Sequence, residues 1–185
     1  MKKDYTILCP QLSPVHFEFL ESAMNGSGYN LKLLRECDEN TVETGLKYVN
    51  NDACYPSLLV VGQLIEALQS GKYDLERTAV IITQTGGGCR ATNYIGFLRK
   101  GLADAGFGNI PVISFNMSGL EKMPGFKITF GLLVKLLRAV IFGDLLSRLH
   151  LRNRPYELKK GESDALHKAW ITKGREVIKD GTKKD

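Results

Sequence analysis

The chain has 185 residues, of which 43% are hydrophobic and 24% are charged, so it is long enough for one ordinary domain and too short for two large ones. The formal net charge is +5, and residues 151–185 supply most of it, with ten basic against six acidic side chains. A nearly neutral body with a basic tail argues against a nucleic-acid-binding protein, which usually carries a basic face on its folded part.

Short apolar runs alternate with helical stretches along the first two thirds of the chain, a pattern typical of βαβ units around a parallel sheet. The predicted strands are 5–9, 30–34, 78–83 and 111–115, and the predicted helices are 15–24, 56–68 and 90–105. Residues 44–49 are predicted to form only a short helical turn or a loop. The predicted fold class is α/β, with a doubly wound, mostly parallel sheet and helices on both faces, in a Rossmann-like three-layer arrangement.

The last third of the chain is predicted to be helical, with an apolar helix over 128–149 and a basic helix over 163–179. Residues 1–127 are expected to form an α/β core that binds a cluster or another ligand. Residues 128–185 are expected to form a helical extension packed on that core, within a single domain. Charges interrupt the apolar segment, and no uncharged run approaches the roughly 18 residues of a membrane-spanning helix, so a buried or interface helix is expected.

The chain contains four cysteines, and the function depends on the chemical role that these thiols have. The opening residues lack the apolar region of a signal peptide, so we expect a cytoplasmic protein with no membrane partner. Structural disulfides are not expected in that compartment. The cysteines are therefore buried thiols, reactive thiols or metal ligands.

Three consecutive glycines, Gly86, Gly87 and Gly88, follow the predicted buried strand 78–83 and precede a predicted helix. They lie at the carboxyl end of the sheet, where open α/β folds bind their ligands. Glycines there let backbone N–H groups converge on an anion, and the helix N-terminus adds its positive dipole end. The segment is not a P-loop, because it lacks the Lys-Ser/Thr pair. The alternative is a tight turn that contains a buried cysteine.

Two of the cysteines stand at predicted helix starts. Cys89 follows the glycines, and Cys54 comes shortly before Pro56, which lies near the first turn of a predicted helix. A helix N-terminus lowers the pKa of a thiol and so favours the thiolate, the form that binds metals and attacks electrophiles. The 34 residues between the two cysteines do not match the tight spacing of ferredoxins or zinc ribbons.

The motifs around these cysteines occur together in one known family. Residues 50–56 read Asn-Asn-Asp-Ala-Cys-Tyr-Pro, Gly62-Gln63 follows, and residues 84–94 read Gln-Thr-Gly-Gly-Gly-Cys-Arg-Ala-Thr-Asn-Tyr. Residues 142–146 and 154–157 also match sequences of the same family. Over nearly its whole length the chain resembles proteins known as 2-hydroxyglutaryl-CoA dehydratase or as related to CoA-substrate-specific enzyme activases, in the 2-hydroxyacyl-CoA dehydratase superfamily.

The resemblance implies an iron–sulfur protein. Better-understood relatives hold a [4Fe–4S] cluster through three cysteines and receive low-potential electrons from a separate ATP-hydrolysing activator, for radical dehydration or reduction of a CoA thioester. By this resemblance Cys54 and Cys89 are the expected thiolate ligands. The third ligand is not settled: Cys9, at the end of the first strand on the same sheet edge, is the first choice, and Cys37, after the second strand, is the other. Each of these two can equally be a small buried hydrophobe.

Other residues of the glycine segment would surround such a cluster. The N–H groups of the glycines would donate to cluster sulfur. Arg90 would place a positive charge beside the anionic cluster or bind a phosphate. Side chains suited to donate hydrogen bonds to the ligands, or equally to cap a helix or lie on the surface, are Gln84, Thr85, Thr92, Asn93 and Tyr94.

The chain also departs from that family. Dehydratase subunits are usually much longer, and this sequence has no recognisable nucleotide-hydrolysing motif. The expected partners are an ATP-dependent activator protein or a second dehydratase-like domain, while a homodimer and acyl-CoA stay open. Whether the protein is an enzyme, as a component of a dehydratase (lyase) or an ATP-dependent reductase system, also stays open.

Two functions of other classes fit the same residues. One is a module that binds a phosphate of CoA or of a nucleotide through the glycines, with incidental cysteines. The other is a scaffold half-domain that uses the 128–149 helix as a dimer face. Nucleophilic catalysis by Cys89 is less favoured, because none of the three histidines, His16, His150 and His167, stands in a motif that places it near that thiol.

Overall fold

The computed structural model describes residues 4–83, 93–115 and 125–180. The strands in these ranges are β1 (Thr6–Pro10), β2 (Asn30–Leu34), β3 (Thr78–Thr83) and β4 (Val112–Phe115). The α-helices in these ranges are α1 (His16–Asn25), α2 (Glu39–Tyr48), α3 (Tyr55–Gln69), α4 (Tyr94–Asp104), α5 (Phe130–Asn153) and α6 (Glu162–Asp180).

The four described strands form one parallel sheet in the order β2-β1-β3-β4. In register, Thr6 of β1 lies opposite Asn30 on one side and Thr78 on the other. The chain therefore winds outward from β1 to β2 and then returns to the other side of β1. The carboxyl ends of β1 and β3 are adjacent, because these two strands pair. The parallel sheet and the helical C-terminal region confirm the predicted α/β class.

The chain divides into two compact units. The sheet unit comprises residues 1–12 and 30–127 and contains the four strands with α2, α3 and α4. The helical unit comprises residues 13–29 and 128–185 and contains α1, α5 and α6. Helix α1 thus clusters with the C-terminal helices, although it lies between β1 and β2 in the sequence.

The core of the sheet unit lies between the strands and the pair α3 and α4. Side chains alternate between the two faces of a strand, and one face presents Leu8, Val80 and Ile82 to the two helices. The helices contribute the apolar side chains Val61, Leu64, Ile65, Leu68, Leu98 and Leu102, all nearly or fully buried. β1 and β3 are apolar on both faces, as expected for the central strands of a parallel sheet.

Helix α2 is longer than the short turn predicted for 44–49. It starts at a capping box, in which the Asp38 carboxylate accepts from the Thr41 N–H at 3.1 Å and the Asp38 N–H donates to the Thr41 hydroxyl at 3.3 Å. α2 then packs antiparallel to α3 with almost no space between the backbones. A Cβ on Gly45 would lie 2.2 Å from the Leu58 carbonyl oxygen, and one on Gly62 would lie 2.1 Å from that of Thr41. Only glycine fits at both positions.

The helical unit is held by apolar packing and by charges at its helix ends. Phe19 of α1 packs with Ala139, Phe142 and Leu146 of α5. The Lys135 ammonium donates to carbonyl oxygens of residues 26 and 179, at 3.0 and 3.2 Å, and so complements the negative dipole ends of α1 and α6. This contact joins the start of α5 to the end of α6, so the two helices run antiparallel.

Helix α5 carries the apolar segment predicted to be a buried or interface helix. Its buried stripe consists of Leu132, Leu136, Ala139, Gly143 and Leu146. Other large apolar side chains of the same helix are exposed, including Leu137, Val140, Ile141, Leu145 and Leu149. Of the helices in the described ranges, none is long and apolar enough to cross a bilayer.

We expect Gly62→Ala to destabilise the sheet unit by about 2 kcal/mol or more, because the added methyl group must push α2 away from α3. Gly96→Ala is the matched control, since a Cβ at that helical position meets nothing within 4 Å, and alanine there should stabilise by up to about 1 kcal/mol. Urea denaturation followed by far-UV circular dichroism measures both. Equal stability of the two variants would contradict the close packing of α2 on α3.

Candidate functional site

Cys54 is the N-cap residue of α3. Pro56 fits in the first turn, where a backbone N–H has no partner within the helix. The Ser57 N–H and hydroxyl both donate to the Cys54 carbonyl oxygen, at 2.9 and 2.7 Å. These bonds start the helix and fix the Cys54 thiol at the positive dipole end of a 15-residue helix.

The thiol contacts the first residue of another helix. Cys54 Sγ lies 2.9 Å from Oη of Tyr94, whose side chain is buried at the start of α4. Farther along the two helices, Gly101 of α4 faces Val61 and Ile65 of α3. α3 and α4 therefore run in the same direction, with their N-termini at the same end of the helix pair.

The pKa of the Cys54 thiol is lowered from its ordinary value. The hydrogen bond with the Tyr94 hydroxyl is the largest cause, because the phenol stabilises the thiolate. Burial acts in the opposite direction by disfavouring the charged form, and hydrogen bonds from the Ser57 backbone and hydroxyl lower the pKa further. The site thus favours the thiolate, which is the form that ligates metals or acts as a nucleophile.

Gln63 fixes the position of α3 on the sheet. Its buried amide donates to the carbonyl oxygens of Leu34 and Glu36, at 3.0 and 2.6 Å, and accepts from the Gln11 N–H at 3.1 Å. Gln63 therefore lies at the carboxyl ends of β1 and β2. Cys54 precedes it by nine residues, which is about 13 Å of helix. The thiol consequently projects beyond this edge of the sheet.

The structure places Cys9 away from Cys54. Cys9 is buried near the end of β1, and its Sγ donates to the Pro10 carbonyl oxygen at 3.6 Å. The preceding residue, Leu8, packs in the core that faces α3 and α4. Because side chains alternate along a strand, Cys9 points to the opposite face of the sheet from the one that carries Cys54 and Tyr94.

Cys37 lies at the other end of the α2–α3 hairpin. It is exposed, between Glu36, which Gln63 binds, and Asp38, which caps α2. Cys54 is at the tip of this hairpin, so the two thiols are separated by roughly its length. In residues 4–83, 93–115 and 125–180, no group of three or more His, Cys, Asp and Glu side chains is placed to hold a metal.

Most of the glycine segment lies outside the described residues. This applies to the predictions for Gly86, Gly87, Gly88, Cys89 and Arg90. Asn93 is described: it is exposed and occupies the N-cap position of α4 without a capping hydrogen bond from its side chain. Of the predicted donors in this segment, the structure therefore shows Tyr94 at a candidate ligand and Asn93 at the adjacent helix start.

A polar pocket of about 330 Å³ opens beside the carboxyl end of β2. It carries basic side chains, Arg35 and Lys72, as well as acidic ones, Glu36, Asp38 and Glu66. The Thr41 hydroxyl donates to the Glu66 carboxylate at 2.6 Å. The sequence gives no motif for this pocket, since its lining residues are scattered over β2, α2, α3 and the loops that follow β2 and α3.

All three histidines belong to the helical unit. His16 bonds the Ser13 hydroxyl at 2.8 Å and the Asp144 carboxylate at 2.9 Å. The rings of His150 and His167 stack at 4.2 Å. Burial and then the neighbouring His150 lower the pKa of His167. The hydrogen bond of the Cys54 thiol is thus to a phenol, Tyr94, and not to an imidazole.

Comparison with protein-family models gives no match for this chain, and comparisons with curated proteins and with solved structures give no significant match.

We expect Tyr94→Phe to raise the pKa of the Cys54 thiol, because the substitution removes the hydroxyl that stabilises the thiolate. The measurement is the pH dependence of iodoacetamide alkylation, in a chain whose other three cysteines are changed to alanine. At neutral pH the variant should react more slowly than its parent. Tyr55→Phe is the control, because Tyr55 is exposed on α3, the helix that Cys54 caps. An unchanged pH profile in Tyr94→Phe would show that the phenol does not act on the thiol.

Proposed function

We propose that the sheet unit is an iron–sulfur protein related to 2-hydroxyacyl-CoA dehydratases and benzoyl-CoA reductases, with Cys54 and Cys89 as thiolate ligands of a [4Fe–4S] cluster. The observation that carries this proposal is the 2.9 Å contact between Cys54 Sγ and Tyr94 Oη. The two motifs behind the family resemblance are far apart in the sequence, and this contact joins them. Tyr94 ends the motif that contains Cys89, five residues earlier in the chain.

The donor set at Cys54 fits a cluster in chemical type. Thiolates are the protein ligands that iron–sulfur clusters use, and the hydrogen bond from Tyr94 already favours the thiolate of Cys54. A cluster bound by thiolates carries negative charge, which the adjacent N-termini of α3 and α4 offset. Because few residues separate Cys89 from Tyr94, the chain length allows both cysteines to reach one ligand.

The third protein ligand stays open between Cys9 and Cys37. Cys9 lies near the carboxyl end of β1, on the face opposite to α3 and α4, and Cys37 lies at the opposite end of the α2–α3 hairpin from Cys54. A second dehydratase-like domain is the other source of a ligand.

When bound, the cluster supplies single electrons at low potential for the chemistry of a CoA thioester. The residues of this chain hold and tune its sulfur ligands. Tyr94 donates to Cys54 Sγ, and a hydrogen bond to a ligand sulfur raises the reduction potential. The peptide N–H groups of the glycines and the Arg90 guanidinium would act in the same direction. Electrons would come from an ATP-dependent activator protein, and the carrier of the reacting acyl group would be CoA.

Two further properties belong to this proposal. The described strand order 2-1-3-4 matches the start of flavodoxin-like sheets, so we infer a doubly wound sheet with its ligand where the winding reverses. A cytoplasmic location is inferred as well, since reducing conditions keep the thiols free to bind iron.

A second candidate function rests on the same two helix N-termini. Adjacent positive helix ends also bind phosphate, and the glycines before α4 could supply backbone N–H groups. In that case the sheet unit binds a phosphate of CoA or of a nucleotide, and Cys54 takes no part in metal binding.

Anaerobic reconstitution with iron and sulfide distinguishes the two functions. We expect about four iron atoms per bound cluster, a visible charge-transfer band, and loss of both in Cys54→Ala and in Cys89→Ala. Of Cys9→Ala and Cys37→Ala, the one that also loses iron identifies the third ligand, and the other is the matched control. Tyr94→Phe should keep the iron and lower the reduction potential.

A folded chain that takes up no iron would exclude the cluster. Calorimetric titration with CoA then tests the second candidate, and the cysteine variants should leave that binding unchanged. Iron that persists in both Cys54→Ala and Cys89→Ala would place the cluster elsewhere in the chain.

A further inference from the structure

The helical unit exposes a long apolar groove between α5 and α6, here called the α5–α6 groove. It consists of two contiguous parts of about 370 and 590 Å³, which share Phe142, Leu145 and Trp170. Large apolar side chains on its walls are exposed, with 68% of Ile141, 49% of Leu145 and 45% of Trp170 accessible to solvent. A contiguous apolar surface of this kind usually marks an interaction site.

The exposed side chains follow the period of a helix on both walls. On α5 they are Ile141, Leu145 and Leu149, four residues apart. On α6 they are Leu166, Trp170 and Val177. On α5 this stripe lies roughly opposite the stripe that contains Ala139 and Gly143, which is buried within the helical unit. α5 is therefore apolar on two sides, and the second side has the spacing of a helix-packing surface.

The two ends of the groove carry opposite charges. The part near the start of α5 is lined by Lys135, Arg138 and Lys173, with no carboxylate among its described lining residues. The part near the start of α6 includes Glu162 and also Glu157, whose carboxylate accepts from two backbone N–H groups at the start of α6. It has no lysine or arginine among its described lining residues. The groove is thus basic at one end, apolar in the middle and acidic at the other end.

The charge distribution along the α5–α6 groove is self-complementary. Arg138 precedes the central Leu145 by seven residues, about 10 Å along α5, and Glu162 precedes the central Trp170 by eight residues, about 12 Å along α6. A two-fold axis across the groove at Leu145 and Trp170 would place the basic end of one copy on the acidic end of the other. Such an antiparallel pairing also lays each apolar middle on its symmetry mate.

We propose that the α5–α6 groove is the interface of a homodimer, in which the helical units of two copies pair antiparallel around a two-fold axis. A parallel pairing would set like charges against each other, which costs energy. A uniformly acidic partner helix would place its carboxylates against Glu157 and Glu162, and a uniformly basic one against Lys135, Arg138 and Lys173. The second copy is the occupant that matches both ends.

Sedimentation velocity of the full chain tests this interface. The wild-type protein should show a mass of twice 20.6 kDa at high concentration and dissociate on dilution. We expect Leu145→Glu to raise the dimer dissociation constant by tenfold or more, because it buries a carboxylate at the centre of the interface. Val140→Glu is the matched control: Val140 is 43% exposed on the same helix but lies outside the stripe and does not line the groove.

A charge exchange tests the antiparallel arrangement. Arg138→Glu and Glu162→Lys should each weaken the dimer, and the chain that carries both should recover it, because opposite charges again meet across the axis. Circular dichroism verifies that each variant is folded. A wild-type chain that is monomeric at every concentration would overturn the proposal, as would equal effects of Leu145→Glu and Val140→Glu. A double variant weaker than both single variants would overturn the antiparallel pairing.

Discussion

The hydrogen bonds of the Gln63 amide are the interaction on which the geometry of the sheet unit depends. A buried amide that lost its partners would cost more than the bonds contribute, so Gln63 can settle only where β1 and β2 both end. Its bonds to Gln11, Leu34 and Glu36 therefore fix α3 along its own axis. The rest of the site follows from that fixed register, because the helix geometry then sets how far Cys54 projects beyond the sheet.

The predicted strands agree closely with the structure because their signal is local. An apolar run such as 78–83 is long enough for a strand and too short for a helix, and the observed β3 has the same bounds. α2 was predicted only in part because it buries Thr41 and Gly45 instead of an apolar stripe. Its local signal was the capping box at Asp38. The place of α1 among the C-terminal helices has no local signal at all, since its partners in α5 and α6 lie more than a hundred residues later.

The sequence could indicate the residue types of the candidate site better than their arrangement. A thiol just before a helix start that contains Pro56 predicts a lowered pKa. The pKa of Cys54 is lowered, but its largest cause is the hydrogen bond with Tyr94, which the sequence did not predict. Its contact with Tyr94 depends on α3 and α4 lying side by side, which no local pattern encodes. The sequence also could not indicate to which face of the sheet the Cys9 side chain points. β1 is apolar on both faces, so the alternation that would distinguish them is missing from the sequence.

The apolar segment 128–149 shows how one helix can carry two apolar stripes. A helix that packs on one side alone needs a single apolar stripe, and its other side is normally polar. In α5 the charged residues are instead spaced so that a second stripe, through Ile141 and Leu145, remains apolar. Exposing that stripe to water has a free-energy cost that grows with its area. If the charged residues served only to keep the groove soluble, acidic and basic side chains could occur at either end. In this groove the described basic residues lie at one end only. The separation of charge along the groove is the observation on which the proposed pairing with a second copy rests.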